Sequence, residues 1–358
     1  MLSRLLIDGY KSINREEFEL QNFTLLAGIN SAGKSSVLQA LLYTIQMQAE
    51  RGEGEKKRPY VDLGRLADVK NSVKGNREIL FQMDACEAGI TDTTEIRITP
   101  AENVTVTSIT MPSEQIRPSY AKTHNVVYLS VERIGVEKAY DMNLENPRDI
   151  GGRAEYAFAY LASFGQEPLL ERAFSYEPEQ VGMSMNNQVN YWLDYIMGFH
   201  IRTNMVPDVD QVVVTYSNAG DNHYYRGRHV GTGITYIAML IIAALTCKQD
   251  DALVIENPEI HLHPRAQSRF MEFLAYLSER GLQIILETHS DHIYNGMRKC
   301  VKNGSLSREK TVVYFLELDS VMQTKVHKIQ LNAQGAEENH PYGMFDQFDD
   351  DLDELLGM

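Results

Sequence analysis

Residues 28–35, Gly-Ile-Asn-Ser-Ala-Gly-Lys-Ser, fit the phosphate-loop pattern GxxxxGK[ST] and constrain the fold more than any other segment. The apolar run 23–27 predicts a buried strand before the loop, and helical spacing of apolar residues over 36–46 predicts a helix after it. Glycines let successive backbone N–H groups converge on phosphate oxygens, and a helix N-terminus adds positive potential. In this pattern Lys34 would reach the β- and γ-phosphates, and the Ser35 hydroxyl would bind Mg²⁺.

Composition places the chain among soluble intracellular enzymes and predicts a cytoplasmic protein. The 358 residues are 43% hydrophobic and 23% charged, and no apolar run approaches the roughly 20 residues of a membrane span. Three scattered cysteines, Cys86, Cys247 and Cys300, are expected to be buried thiols in a reducing compartment. The net charge of −15 argues against broad attraction to nucleic acid or to an anionic membrane, although a local basic groove remains open.

Two later apolar runs each end in carboxylates. Residues 252–255 predict a buried strand that leads into Glu256-Asn-Pro-Glu259, and residues 282–286 predict another that leads into Glu287-Thr-His289. A carboxylate at the end of a buried strand is where phosphate-loop NTPases hold Mg²⁺, the Walker B position. A polar residue at the end of the neighbouring strand can sense the γ-phosphate. The two strands together predict the second half of the nucleotide site.

Four segments resemble ABC-type AAA ATPases of the branch shared by RecF, SMC and overcoming-lysogenization-defect (OLD) proteins. They are the N-terminal residues 6–13 and the stretches GINSAGKSS, ENPEIHLHP and ETHSDH. Within this branch the chain is most similar to stand-alone bacterial ATPases that end in a GxFDQFDxDLDELL-like segment, here 343–356. The resemblance covers both ends of the chain and most of residues 228–300. It implies an α/β phosphate-loop NTPase fold of ABC type, ATP and Mg²⁺ as cofactors, and frequent location in anti-phage operons beside an effector.

The resemblance also implies roles for single residues. Ser35 and Glu256 would hold Mg²⁺, His289 stands at the switch histidine, and 229–236 takes the place of the LSGGQ signature. In such proteins the signature opens a helix that contacts the γ-phosphate held by the other subunit, so dimerisation completes the active site. The nucleotide-binding residues would be Lys11, Asn30, Ser31, Ala32, Gly33, Lys34, Ser35 and Ser36 of one subunit with Gly231, Thr232 and Gly233 of the other.

Two positions depart from the family pattern. Gly231 replaces the signature serine, and Asn257 stands where most ABC ATPases carry the catalytic glutamate. An amide can orient water but cannot accept its proton, so a general base must come from elsewhere. Glu259 and Glu287 are the available carboxylates; the alternative is that Glu259 orders the following loop and Glu287 makes a structural hydrogen bond. We therefore expect slow hydrolysis.

Histidines and acidic residues elsewhere invite a metal interpretation that we do not favour. His261 and His263 belong to the HLHP loop that follows Walker B in the family, near its dimer interface. The acidic residues of 346–354 alternate with Phe and Leu and fit an amphipathic helix better than a metal cluster. Such a helix binds a partner or packs on its own domain.

The middle of the chain is less specific. Strand-like alternation over 78–84, 94–99 and 104–110 predicts an antiparallel β subdomain, and 126–131 predicts another core strand. Arg133, just after that strand, is expected either to contact phosphate or to form a surface salt bridge.

Residues 150–205 are predicted to form a compact helical subdomain around Trp192, since no heptads run long enough for an SMC-like coiled coil. Segments 211–216 and 222–226 predict a hairpin that leads directly into the signature segment.

We therefore expect one ABC-type ATPase domain over 1–358. Its parts are an N-terminal lobe 1–135, a helical insertion 136–209, a C-terminal lobe 210–335 and an acidic amphipathic tail 336–358. After His289 the sequence predicts two strands, 311–317 and 324–329, and lacks the motifs of the Toprim nuclease domain that OLD-type proteins carry at this point.

The predicted function is an ATP-driven dimeric switch with slow ATPase activity that controls a separate effector, for which a nuclease in anti-phage defence is the leading candidate. Three alternatives stay open: a RecF-like ATP-dependent DNA clamp in repair or recombination, a transporter nucleotide-binding subunit, and a binding module without turnover. The degenerate signature and Asn257 disfavour the transporter.

Overall fold

The computed structural model describes residues 1–50, 60–73, 75, 78–101, 104–110, 119–218, 220–221 and 223–356. The strands in these residues, in chain order, are β1 Leu2–Tyr10, β2 Ile13–Glu19, β3 Phe23–Gly28, β4 Ile79–Glu87, β5 Ile90–Ala101, β6 Val104–Thr110, β7 Val126–Leu129, β8 Tyr140–Asp141, β9 Phe199–Val206, β10 Gln211–Asn218, β11 Tyr225–Arg226, β12 Ala252–Glu256, β13 Gln283–Thr288, β14 Thr311–Leu318 and β15 Thr324–Ile329.

The α-helices in the same residues are α1 Lys34–Glu50, α2 Leu66–Val69, α3 Tyr120–Thr123, α4 Ala157–Phe164, α5 Pro178–Val181, α6 Met185–Met197, α7 Thr232–Leu245, α8 Pro264–Ser278, α9 Asp291–Lys302 and α10 Gln347–Leu356. Short 3₁₀ turns cover Arg172–Phe174, Pro207–Val209, Gly227–His229 and Arg308–Lys310. Among the described helices, none combines the length and the apolarity that a membrane crossing requires.

A six-stranded sheet in the order β15-β14-β3-β13-β12-β7 forms the centre of the molecule. β14, β3, β13, β12 and β7 are parallel, and β15 closes one edge as an antiparallel strand. Because parallel strands end at the same edge, the phosphate loop after β3 meets the carboxylates at the ends of β12 and β13. The strands predicted at 23–27, 126–131, 252–255, 282–286, 311–317 and 324–329 are all confirmed as members of this sheet.

Both faces of the central sheet are covered, which explains why β3 and β12 are continuously buried. Alternate residues face opposite cores because the side-chain period of a strand is two. Leu25 and Ile255 enter the core formed with α4, α6, α7, α8 and α9, whereas Leu26 and Val254 enter the core formed with α1 and the second sheet.

The second sheet is antiparallel, in the order β2-β1-β4-β5-β6. The β subdomain predicted from 78–84, 94–99 and 104–110 is confirmed as β4, β5 and β6, and the N-terminal hairpin β1–β2 extends it. This sheet packs on α1 and thereby braces the helix that follows the phosphate loop.

The helical prediction for 150–205 is partly wrong. α4 and α6 lie in this span, but residues 199–206 form β9, which pairs along its length with β10. The run contains the β-branched residues Ile201, Thr203 and Val206, which favour a strand, and the short connection 207–210 joins it to β10 as a hairpin. The helices also share one continuous core with α7 and α8.

The hairpin predicted from 211–216 and 222–226 is reduced to two paired residues on each strand. β11 pairs with β10 through Thr215–Arg226 and Tyr216–Tyr225, and β9 is the main partner of β10. Asn222 lies outside the described residues. β8 completes this third sheet by pairing with the start of β10.

Candidate functional site

The phosphate loop joins β3 to α1 through two glycines with positive φ. At Gly28 (φ 146°) a Cβ atom would lie 2.1 Å from the Leu316 carbonyl oxygen of β14. At Gly33 (φ 103°) it would lie 2.7 Å from Thr324 Oγ1 of β15. Only glycine fits both positions, because the loop packs closely against β14 and β15.

Thr324 is a site residue that the sequence did not indicate. Its hydroxyl donates to the Ala32 carbonyl at 2.9 Å and lies 2.8 Å from Ser12 Oγ, and its side chain is buried. A threonine that opens an edge strand far from the loop in sequence carries no motif. The hydrogen bond fixes the middle of the phosphate loop.

Lys34 lies at the centre of the loop and is 3% exposed. Its Nζ donates to the carbonyls of Gly28 and Ile29 at 2.9 and 2.8 Å and lies 3.4 Å from His289 Nδ1. Burial lowers the pKa of Lys34 to about 8, although Glu287 and Glu259 favour its charged form. The predicted phosphate-binding lysine therefore contacts both the loop backbone and His289, the predicted switch histidine.

Glu287 accepts a hydrogen bond from the Ser35 hydroxyl at 2.9 Å and is 2% exposed. It lies directly opposite Glu256 across the parallel pair β12–β13. Burial, with the nearby Glu256 charge, raises the pKa of Glu287 to about 7. Its second oxygen, Oε2, is buried with no hydrogen-bond partner in the described structure.

The donor set here fits Mg²⁺. Ser35, Glu256 and Glu287 offer a hydroxyl and two carboxylates, and hard divalent cations prefer oxygen ligands of this kind. Glu256 itself accepts a hydrogen bond from the Val131 N–H at 3.1 Å. The sequence named Ser35 and Glu256 for Mg²⁺; the geometry adds Glu287, whose unpartnered Oε2 is the orphaned acceptor of the group.

Glu259 also lies near Lys34, whose charged form it favours. Its Oε1 accepts a hydrogen bond from the backbone N–H of His289 at 2.7 Å, and its Oε2 is buried without a partner in the described structure. Asn257 has a left-handed backbone conformation (φ 43°) and donates its N–H to the Glu287 carbonyl. Its side-chain Oδ1 is also buried without a hydrogen-bond partner in the described structure. Burial, and then the charge of Lys34, lower the pKa of His289, which favours the neutral ring.

Arg133 occupies neither of its two predicted positions. Its guanidinium is buried behind the end of β12 and donates to three carbonyls: Glu256 at 2.7 Å, Asn257 at 2.8 Å and Ser130 at 3.1 Å. Burial lowers the pKa of Arg133 despite the surrounding acidic groups. The residue ties the ends of β7 and β12 together, a role that depends on tertiary contacts and has no local signal.

The remaining phosphate-side residues surround the loop. Lys11 donates to Gln39 Oε1 of α1 at 2.7 Å, and burial lowers the pKa of Lys11. Asn30 and Ser31 are exposed at the loop tip, whereas Ala32 and Ser36 are buried beneath it. A cleft of about 1740 Å³ opens beside Ser35, Gln39 and Glu256.

The segment predicted to act as the signature lies at the start of α7, so the predicted helix is confirmed. Gly231 is the N-cap residue and Thr232 the first helical residue, and both are exposed. Gly233 is buried, and a Cβ atom there would lie 2.3 Å from the His261 carbonyl. Within the described residues, none of these three hydrogen-bonds to the phosphate loop of its own chain. His263, in the same loop as His261, caps α8 by accepting the Arg265 N–H.

Comparisons with known proteins agree with this geometry. Residues 23–295 match the family described as "AAA domain, putative AbiEii toxin, Type IV TA system". The Old nuclease of Escherichia phage P2 is 31% identical over 102 residues, which are 26% of this chain and 17% of that protein. The chain therefore matches about a sixth of the length of that relative.

Solved structures of similar shape include Smc heads. One, bound to the C-winged helix domain of ScpA, has a TM-score of 0.53 at 14% identity and covers 92% of this chain and 98% of its own. Another, with an extended coiled coil and bound to the C-terminal domain of ScpA derived from Pyrococcus furiosus, has a TM-score of 0.56 at 13% identity and covers 99% of both chains. At these identities the likeness establishes the fold alone, which is that of an ABC-type phosphate-loop ATPase. Because the family match spans more than half of the 358 residues, the chain belongs to this AAA-domain family.

Proposed function

We infer that the protein is an ATP-binding and slowly ATP-hydrolysing switch, which acts as a dimer and controls a separate effector protein. The observation that supports this most directly is a group of buried acceptor atoms without partners at the ends of β12 and β13, next to Lys34 through Glu287 and Glu259. They are Glu287 Oε2, Glu259 Oε2 and Asn257 Oδ1. Buried unpartnered polar atoms are costly, and such groups concentrate at functional sites.

Glu287 and Glu259 have different roles in this proposal, one in metal binding and one in proton transfer. Glu287 is bonded to Ser35, so it belongs with Glu256 on the metal side. Bound Mg²⁺ would neutralise charge on the β- and γ-phosphate oxygens. Glu259, held through one oxygen by the His289 backbone, keeps the other free to accept a proton from water, while Asn257 orients that water. Lys34 stabilises the charge that develops on the transferred phosphoryl group.

The second subunit would complete the site through the start of α7. Gly231 and Thr232 are exposed at a helix N-terminus, where backbone N–H groups and the helix dipole favour an anion. Since they make no hydrogen bond to their own phosphate loop in the described structure, they are available to the ATP of a partner. Binding would close the dimer, and hydrolysis would reopen it.

The effector is assigned by resemblance. The chain shares one stretch with the Old nuclease and belongs to a family whose description includes a toxin. We therefore propose a separate nuclease or toxin of a cytoplasmic anti-phage system as the protein that the switch controls.

Single-turnover ATP hydrolysis with a Mg²⁺ titration tests the ATPase and its division of labour. We expect Lys34→Ala to abolish turnover. Glu259→Gln should lower the rate by about a hundredfold at saturating Mg²⁺, and Glu287→Gln should shift the Mg²⁺ dependence to higher concentration. Glu338→Gln, at an exposed position, is the matched control. Hydrolysis by Lys34→Ala at the wild-type rate would refute the ATPase assignment.

A further inference from the structure

The turn between β1 and β2 lies against the phosphate loop. Ser12 Oγ is 2.8 Å from Thr324 Oγ1, which also donates to the Ala32 carbonyl, and the Ser12 carbonyl accepts the Thr324 N–H at 2.8 Å. A Cβ atom at Gly33 would lie 3.3 Å from Ser12 Oγ. Lys11, the residue before Ser12, is therefore held beside the phosphate loop by its neighbour.

The backbone of Lys11 is strained and is held from a second side. Its φ is 49°, a left-handed conformation that few residues other than glycine, asparagine and aspartate adopt. Its N–H donates to the Val69 carbonyl at 2.6 Å, and two residues earlier the Gly9 carbonyl accepts the Asn71 N–H at 2.8 Å. Strained residues of this kind concentrate at ligand sites, which makes the lysine side chain a candidate functional group.

The Lys11 ammonium is held by Gln39 of α1. Gln39 Oε1 accepts hydrogen bonds from Lys11 Nζ at 2.7 Å and from the Tyr10 hydroxyl at 3.0 Å. An ammonium group only donates, so the oxygen of the amide has to face it. Tyr10 is fully buried, with its ring edge-on to Phe81 and the ring centres 5.1 Å apart. One of the two donors is thus fixed by the core, and it fixes Gln39 as an acceptor for the lysine.

Gln39 holds the lysine without neutralising it. In the part of the chain that the structure describes, the Lys11 ammonium has no carboxylate within ion-pair distance and no second hydrogen-bond partner. Lys11 is half-buried, and burial lowers its pKa. The chain has 49 acidic and 34 basic residues, so a half-buried lysine bound only to a neutral amide is unusual in it. The arrangement keeps a net positive charge available to an anionic ligand.

The Lys11 ammonium does not belong to the group of carboxylates at the ends of β12 and β13. Glu287 and Glu259 favour the charged form of Lys34, whereas burial alone shifts the pKa of Lys11. β15, to which the Lys11 turn is bonded, lies on the opposite side of β3 from β13 and β12 in the central sheet. A contact between Lys11 and a nucleotide should therefore contribute to affinity rather than to proton transfer from water.

We propose that Gln39 is a positioning residue for ATP, which holds the Lys11 ammonium against α1 so that it binds a phosphate oxygen of the nucleotide. The inference rests on the proposed function, because it takes the phosphate loop to bind ATP. Ser35 and Gln39 lie one helical turn apart on the same face of α1. The acceptor is thus about 6 Å along the helix axis from the residue expected to bind Mg²⁺. The alternative is a purely structural tie between β1 and α1.

Titration calorimetry of the full chain with ATP and with ADP, in a double-mutant cycle, tests the proposal. We expect Lys11→Met to weaken nucleotide binding about tenfold, because one hydrogen bond to a charged group is lost. Gln39→Met should weaken it about threefold or more. In a Lys11→Met protein, Gln39→Met should have no further effect, because the residue acts through the lysine. Additive losses would overturn the proposal.

Gln39→Glu separates positioning from a structural tie. A carboxylate keeps the hydrogen bond and strengthens the link between α1 and β1, but it neutralises the lysine. ATP binding should therefore weaken about threefold or more, while the melting temperature stays level or rises. Tyr10→Phe is the matched control, since it removes the other donor to the same oxygen. It should lower the melting temperature without changing ATP affinity.

Hydrolysis measured over a range of ATP concentrations separates this result from the ATPase assignment. Gln39→Met should need more ATP for its half-maximal rate and should reach the wild-type rate at saturation, since the contact is expected in the ground state and the transition state alike. Wild-type affinity in Gln39→Met, or tighter ATP binding by Gln39→Glu, would overturn the positioning role. A wild-type protein that binds ATP without hydrolysing it would refute the ATPase and leave the positioning role standing.

Discussion

The Ser35 hydroxyl donates to Glu287 Oε1 at 2.9 Å and joins the first turn of α1 to the end of β13. Ser35 belongs to the phosphate loop, and Glu287 lies opposite Glu256 on the neighbouring strand. The bond therefore brings the hydroxyl expected to bind Mg²⁺ next to two carboxylates. It is also consistent with the proposal that Glu259, through its unpartnered Oε2, is the carboxylate that takes the proton.

Glu287 should make stability depend on pH. Its pKa is about 7 in the folded protein against an ordinary 4.5, because burial and Glu256 disfavour its charge. The folded protein thus keeps a proton that the unfolded chain releases, so the free energy of unfolding falls as pH rises from 4.5 to about 7. Glu287→Gln removes this slope. Urea denaturation of both proteins without nucleotide measures it.

Glu338→Gln, an exposed glutamate, should keep the wild-type slope. The same titration predicts that Mg²⁺ affinity rises with pH through about 7, since the metal competes with the proton on Glu287. Equal slopes in wild type and Glu287→Gln would refute the raised pKa.

Thr324 should support ATP binding from outside the motif. Thr324→Val keeps the shape of the side chain but removes the hydrogen bond to the Ala32 carbonyl and the contact with Ser12. We expect a loss of about 1–2 kcal/mol in ATP affinity or stability, because a buried carbonyl loses its donor. Titration calorimetry with ATP and thermal unfolding measure the two effects. Thr324→Ser restores the hydroxyl and should recover most of the loss.

We expect an added methyl group to destabilise the protein at Gly233 but not at Gly231. A Cβ at Gly233 would lie 2.3 Å from the His261 carbonyl, whereas one at Gly231 meets no atom within 4 Å. Gly233→Ala should therefore lower the free energy of unfolding by about 1–3 kcal/mol, and Gly231→Ala should change it by less than about 0.5 kcal/mol. Chemical denaturation compares the two.

Gly231→Ala also tests the dimer interpretation. If this residue faces the ATP of a partner, its methyl group should reduce ATP-dependent dimerisation without reducing stability. Unchanged dimerisation by light scattering would speak against that position in the interface.

The sequence predicted what depends on local pattern. The phosphate loop, the strands that end at Glu256 and Glu287, and the start of α7 follow from spacing and neighbouring residues. β9 was missed because the helical aromatic spacing of the residues before it was extended through 199–206, although these residues form a local hairpin with β10. Thr324 and Arg133 were missed or misplaced because each acts on backbone carbonyls brought close only by the fold.

Arg133 should be required to hold the backbone that follows β12, where the sequence predicts the Walker B carboxylate. It donates to the carbonyls of Glu256, Asn257 and Ser130, and it is 5% exposed. Arg133→Met leaves three carbonyls without this donor and should cost about 3 kcal/mol or more of stability. Arg133→Lys keeps the charge, but an ammonium group cannot reproduce the planar fork, so it should rescue only part of the loss.

Arg153→Met is the matched control, because Arg153 is exposed and its contact with Glu132 at 3.5 Å is a surface ion pair. Its loss should cost less than about 1 kcal/mol. Urea denaturation gives the stabilities, and single-turnover hydrolysis at a temperature where every variant is folded gives the rates. Since Arg133 fixes the backbone of Glu256 and Asn257, Arg133→Lys should lower the hydrolysis rate more than it weakens ATP binding. A folded Arg133→Lys variant with the wild-type rate would show that the three hydrogen bonds stabilise the fold without positioning the site.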